Sequence, residues 1–280
     1  MNPKTLTLRI GHSPDPDDAF MFYALAREVE SIDGMEVEHV LADIESLNVR
    51  AQTADLEVTA VSAAAYPALA DKYFVMRTGA SMGRGYGPIL VAREPMNPSQ
   101  LADKTIGVPG LGTTANLLLS IHYGDVKRKV LEFDRIPDAV LDGDVDVGLL
   151  IHEGQLTYGE SGLHKILDFG EVWEKETNGL PLPLGLDLVR RDLGREMAVR
   201  ISTTLRRSIE HALKNEDDAL TYALGFGRGI GREVGRKFVK MYVNEDTVDM
   251  GEPGLAALNH LYRRAQEKGL LDRIPELDLV

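Results

Sequence analysis

Residues 35–62 read MEVEHVLADIESLNVRAQTADLEVTAVS, and this stretch decides the fold class. Met35 to Leu41 reads as a strand, DIESLNVRAQTADL carries a helix signal, and EVTAVS returns to a short apolar strand. Upstream, Leu6, Leu8 and Ile10 alternate as a first strand, and HSPDPDDAF turns the chain into a helix through Phe20 to Val29. This βαβαβ rhythm predicts an α/β protein with a parallel sheet and right-handed crossovers. Asp17 or Asp18 is placed to cap the Phe20 helix, where negative charge is favoured. The three aspartates Asp15, Asp17 and Asp18 lack the glycine and distal Glu of a calcium loop, so they read as turn and cap residues.

Further along, the glycine-rich GRGYG has neither the spacing nor the Lys-Ser/Thr of a phosphate loop. The strand Ile89 to Ala92 that follows carries the chain into a second domain, and Leu184 to Val189 returns it. One lobe is therefore predicted as residues 1–90 plus 186–280, and the other as the insertion 91–185. Within the insertion, Ile106 and Val108 lead through a Pro/Gly turn to Thr113 and Thr114, which open the apolar helix Ala115 to Tyr123. Free N–H groups and the positive dipole end make such a helix start an anion site that suits a carboxylate. A simple Thr cap explains the same residues, and the two roles are compatible.

The insertion then reaches DGDVDVGLLIHEGQLTY, residues 142–158. Val145, Val147, Leu149, Leu150 and Ile151 form the run of a strand covered on both faces. His152 and Glu153 follow at its carboxyl end, where open α/β sheets present their ligand crevice. A neutral imidazole there can act as a general base, whereas the alternative is a structural His bonded to a neighbouring carbonyl. His12 ends the first strand in the same manner and is predicted to share the cleft. Ser62 either caps the helix SAAAYPALAD or points into the crevice. Beyond Gly194 the chain is helical, and GFGRGIG is a helix connection rather than a dinucleotide motif.

Composition restricts the partners. The 280 residues are 44% hydrophobic and 27% charged, enough for two domains. A net charge of −13 argues against nucleic acid and anionic membranes and leaves small molecules. With no cysteine there is no disulfide, thiolate nucleophile or Cys-based metal site. The start MNPKTLTLRIGHSP lacks the apolar core of a signal peptide, and no run approaches the roughly 18 apolar residues of a membrane span, so a cytoplasmic protein is expected. Oligomeric state is not legible.

Several motifs taken together resemble one family. RIGHSPDPDDAFMFYAL, DIESLN, GRGYGPILVAR, VPGLGTTANLLLS, LIHEGQLTY and NGLPLPLG are similar, in order, to the menaquinone-biosynthesis enzymes of the futalosine pathway, above all the 1,4-dihydroxy-6-naphthoate synthases. The resemblance implies a two-lobed, type II periplasmic-binding-protein-like fold with a ligand cleft between the lobes. It also implies His152 as the base, and Thr113, Thr114, Ser62, Asn48, Gly112 and His12 as substrate-binding residues. The implied reaction is a carbon–carbon lyase step on cyclic dehypoxanthinyl futalosine, an aromatic carboxylate, with no cofactor and no metal. Two departures stand out. The family commonly reads SPCPNDTF where this chain has Asp15, Asp17 and Ala19, and a frequent Lys is Ala60 here. A solute-binding protein of the same fold and a chorismate dehydratase are the alternative readings.

Overall fold

The computed structural model describes residues 6–227 and 229–280; residues 1–5 and Arg228 of the GFGRGIG segment lie outside the described residues. In chain order the strands are β1 (Leu6–His12), β2 (Met35–Leu41), β3 (Val58–Ser62), β4 (Tyr73–Val75), β5 (Ser81–Gly83), β6 (Ile89–Ala92), β7 (Thr105–Val108), β8 (Lys127–Val130), β9 (Val147–Leu150), β10 (His164–Asp168) and β11 (Leu182–Arg190). They build two sheets. One has the order β2-β1-β3-β11-β4, with β5 also paired to β11, and the other has the order β10-β6-β9-β7-β8. The chain is thus an α/β protein of two sheets, as the βαβ rhythm requires.

The parallel pairing expected of the βαβαβ segment is present, but it does not extend through either sheet. β1 is parallel to β2 and β3, and β7 is parallel to β8 and β9. However, β11 runs antiparallel to β3, and β6 and β10 run antiparallel to their neighbours. The reason lies in connectivity. β6 brings the chain into the second sheet and β11 brings it back, so neither follows a helical crossover, which is the connection that makes neighbours parallel.

Six helices position the cleft: α1 (Pro16–Met21), α2 (Tyr23–Ala26), α3 (Ile44–Ala51), α4 (Thr114–Tyr123), α5 (Ile136–Asp142) and α6 (Gly154–Thr157). The single helix expected through Phe20 to Val29 is instead the pair α1 and α2, interrupted at Phe22. Asp15 occupies the N-cap position with extended backbone, and no side chain caps the helix. Asp17 and Asp18 therefore lie inside the first turn rather than at its cap. After Ser62 the chain forms a 3₁₀ helix, Ala63–Ala68, that contains Pro67 and receives no bond from the Ser62 side chain. The long amphipathic segment becomes a helix over Arg195–Lys214, and the last helix covers Gly251–Glu267.

A continuous apolar core runs through both halves. It joins Val61, Leu186 and Leu188 of the first sheet to Leu90, Ile106, Val108 and Leu149 of the second, with Leu118 and Leu119 of α4 between them. A second core under the first sheet packs Leu8, Ile10 and Val189 on Leu205 and Ile209 of the Arg195–Lys214 helix. β9 is buried throughout, with Val147 and Leu149 in the shared core and Leu150 against Ile136 and Val140 of α5. No helix among the described residues is long and apolar enough to cross a membrane.

Candidate active site

Four of the residues singled out from the sequence, Ser62, Thr113, Thr114 and His152, line one cavity. They reach it from both sheets. Ser62 ends β3, whereas the two threonines open α4 and His152 follows β9. His152 departs from the strand in a left-handed conformation, with φ of 52°. That conformation is costly for a residue with a Cβ, typically by about 1–3 kcal/mol, and is kept only where surrounding structure enforces it. Here it turns the chain sharply from β9 toward α6 and leaves the ring at the cavity wall.

The ring is anchored on one side. Its Nδ1 lies 3.4 Å from Oδ2 of Asp15, which is fully buried and also accepts the hydroxyl hydrogen of Ser13. Phe133 packs edge-on at a centroid distance of 4.8 Å. The other nitrogen, Nε2, is buried with no hydrogen-bond partner among the described residues. A carboxylate at Nδ1 favours the tautomer with the proton there, which leaves the Nε2 lone pair available.

The threonines have a different role from the one their hydroxyls advertise. The Thr113 hydroxyl donates to the Gly110 carbonyl and accepts the Asn116 N–H as N-cap. The Thr114 hydroxyl donates to the Leu184 carbonyl at 2.8 Å and accepts the Ala64 N–H at 3.1 Å. Both hydroxyls are therefore committed to tying α4 to its own turn and to β11. What the helix start still offers an anion is its backbone N–H groups and dipole.

Asn48 and Gly112 stand behind this wall. The Asn48 amide accepts the Ser62 N–H at 2.8 Å and donates to the Ser62 hydroxyl at 3.1 Å, which is why Ser62 does not cap the following turn. Asn48 also donates to Glu45, whose carboxylate accepts the Gly112 N–H at 2.9 Å from across the cleft. A Cβ on Gly110 would come within 2.5 Å of the Glu45 carboxyl carbon, so glycine is required for this approach. His12 is placed elsewhere. It stacks on Phe22 at 4.5 Å and bonds the Ser13 carbonyl through Nδ1 and His39 through Nε2. Burial first, and His39 second, push it down to about 3, so it stays neutral inside the core of its own half.

The cavity is also acidic. Asp17, Asp18 and Asp187 line it, each less than a tenth exposed. Burial, reinforced by Asp18, holds the Asp17 carboxyl well above the usual range, and burial together with Asp187 does the same for Asp18. Burial pushes Asp187 up to about 8. Each of these shifts favours the protonated carboxyl. No group of three or more His, Cys, Asp or Glu among the described residues is arranged to hold a metal ion.

A profile of the family described as menaquinone biosynthesis matches residues 8–267. The chain belongs to this family. It is 41% identical over 264 residues to the 1,4-dihydroxy-6-naphtoate synthase of Thermus thermophilus, covering 94% of this chain and 95% of that one. The solved structure of protein AF1704 from Archaeoglobus fulgidus shares 47% identity and superimposes with a TM-score of 0.91, over 96% of this chain and 100% of that one. The alkanesulfonate-binding protein SsuA from Xanthomonas axonopodis pv. citri, bound to MOPS, superimposes with a TM-score of 0.73 over 99% of each chain at 11% identity. That last likeness is one of fold alone, and it makes the architecture periplasmic-binding-protein-like.

For this menaquinone-biosynthesis family member, sequence reasoning missed the aspartates. Their signal was present. Asp187 interrupts the apolar strand LGLDLV, and an ionisable residue there must either find a partner or lose its charge. Tyr242, another cavity residue, arrives from the helix Arg232–Tyr242 and meets the Gln155 amide at 3.0 Å; no local motif announced it.

Proposed function

We propose that the cleft is the active site of a lyase that converts cyclic dehypoxanthinyl futalosine to 1,4-dihydroxy-6-naphthoate, with His152 as general base. The observation that carries the reading is the buried Nε2 of His152, without a hydrogen-bond partner among the described residues, on a ring that lines the cavity and has Asp15 of the other sheet's half beside its Nδ1. Asp15 keeps the proton on Nδ1, so Nε2 receives the substrate proton, and the imidazolium that forms stays beside a carboxylate. A positioned base contributes typically ~10²–10⁴-fold. The substrate carboxylate docks on the backbone N–H groups at the start of α4, which sets the aromatic ring between the halves. Proton removal and bond cleavage then release the naphthoate, and aromatisation supplies the driving force.

In this reading the lobes are residues 1–90 with 186–280 and residues 91–185, which close on the substrate and exclude water. The name carried by the Thermus thermophilus relative supports the product, 1,4-dihydroxy-6-naphthoate, and a biosynthetic role supports a cytoplasmic place. A receptor of the same fold is the competing reading. Single-turnover incubation with cyclic dehypoxanthinyl futalosine, quenched and read by mass spectrometry, decides between them. The lyase yields stoichiometric naphthoate that His152→Ala fails to produce, whereas intact ligand recovered from the wild-type protein establishes the receptor.

A further inference from the structure

We infer that Asp17 and Asp187 form a subsite for the hydroxyl groups of a neutral, ribose-like ring, set apart from the carboxylate-binding start of α4. The inference deepens the proposed function and rests on it for the identity of the ring. Three observations carry it. First, Asp17 and Asp187 both line the cavity at 6% and 1% exposure, and Oδ1 of Asp17 and Oδ2 of Asp187 have no hydrogen-bond partner among the described residues. Polar atoms buried in this way are ordinarily satisfied, so two in the lining of one cavity mark places that a ligand completes.

Second, no Lys or Arg among the described residues pairs with either acid, and the His152 ring lowers Asp17 by less than burial and Asp18 raise it. The residue opposite Asp187 in the β3–β11 ladder is Ala60, which brings no charge. Asp187 instead backs onto Gly79, where a side chain would collide with its carboxyl. Burial raises both carboxyls, in the direction already described for each, and so favours their protonated forms. A protonated carboxyl offers one donor and one acceptor, the same pair that a hydroxyl offers in return. It also leaves the substrate's own carboxylate unrepelled.

Third, the register sets the spacing. Gly185 faces Ser62 and Asp187 faces Ala60, so Asp187 stands two residues further along the same sheet face, about 7 Å away. The Leu184 carbonyl that Thr114 bonds adjoins Gly185. The two subsites thus sit at the separation of two linked rings rather than sharing one group.

The test uses calorimetry on the wild-type protein, Asp17→Leu, Asp187→Leu and the corresponding Asn variants, with folding checked by melting temperature. The probes are cyclic dehypoxanthinyl futalosine, which carries both ends, and 1,4-dihydroxy-6-naphthoate, which lacks the sugar-derived ring. The Leu variants are expected to weaken the first by about 10-fold or more and the second by less than about 2-fold, while Asn, which keeps a donor and an acceptor, retains most affinity for both. Equal losses for the two ligands, or none, overturn the inference. Binding of methylammonium that the Leu substitutions abolish also overturns it, in favour of a cation site. If the wild-type protein binds neither the futalosine compound nor the naphthoate, the reaction assignment has failed, and methyl β-D-ribofuranoside followed by saturation-transfer NMR still decides the subsite. A signal that depends on Asp17 and Asp187 upholds it, and its absence overturns it.

Discussion

Oδ2 of Asp15 and Nδ1 of His152 stand 3.4 Å apart, although Asp15 follows β1 in one sheet and His152 follows β9 in the other. The proposed base and the carboxyl that would orient it therefore come from different sheets. Asp15→Asn places an amide beside Nδ1, whose N–H₂ drives the ring proton to Nε2 and removes the lone pair from the substrate side. We expect kcat to fall by about 10²–10⁴-fold, with KM changed far less, because the loss belongs to the transition state. Adding His152→Ala should cost little more, since the two residues act as a unit. Steady-state kinetics of the two single variants and the double variant check this, and fully additive losses would remove Asp15 from the mechanism.

The committed hydroxyl of Thr114 makes a separate prediction. Thr114→Val strands the Ala64 N–H and the Leu184 carbonyl, which costs roughly 1–3 kcal/mol and lowers the melting temperature by several degrees. Thr114→Ser keeps both bonds and should leave stability and naphthoate affinity near those of the wild-type protein. In both proteins the naphthoate should bind more tightly than its neutral amide if, as proposed, the anion docks on the backbone N–H groups. A Ser variant as unstable as the Val variant would count against this division of labour.

Stability should also depend on pH through Asp187. Its carboxyl titrates near 3.9 in the unfolded chain and at about 8 in the folded protein. Between those values the folded state holds the extra proton, so this group's contribution is complete below about pH 4 and is lost as pH rises toward 8, at about 1.4 kcal/mol per unit. Asp17 and Asp18 shift in the same direction and add to the trend. Asp187→Asn never ionises, so its denaturation midpoints should fall less steeply between pH 5 and 8 than those of the wild-type protein. Parallel curves would mean that Asp187 is already ionised.

Much of this site was legible in the sequence because its parts end strands or start helices. His152 after VGLL and Thr113-Thr114 before an apolar helix are local patterns, and both reach the cavity. His12 shares the strand-end pattern yet turns to Phe22 and His39, because side-chain direction at a strand end is set by neighbours that sequence spacing does not name. The aspartates read as caps since burial is a tertiary property; the same DPDD on an open surface would do nothing else. The antiparallel strands escaped for a similar reason, as β6 and β11 take their direction from a crossing between sheets.

The bond between Glu45 and the Gly112 amide has a kinetic meaning. It joins α3 to the turn before α4 and neither residue lines the cavity, so in the two-lobe reading the halves part only by giving up this charge-assisted contact. Association should then be gated. Observed binding rates in stopped flow should level off with rising naphthoate concentration at the speed of opening, and Glu45→Ala should lift that plateau and hasten product escape. A contact outside the cavity lining would in this way set how long the reaction chamber keeps what it holds.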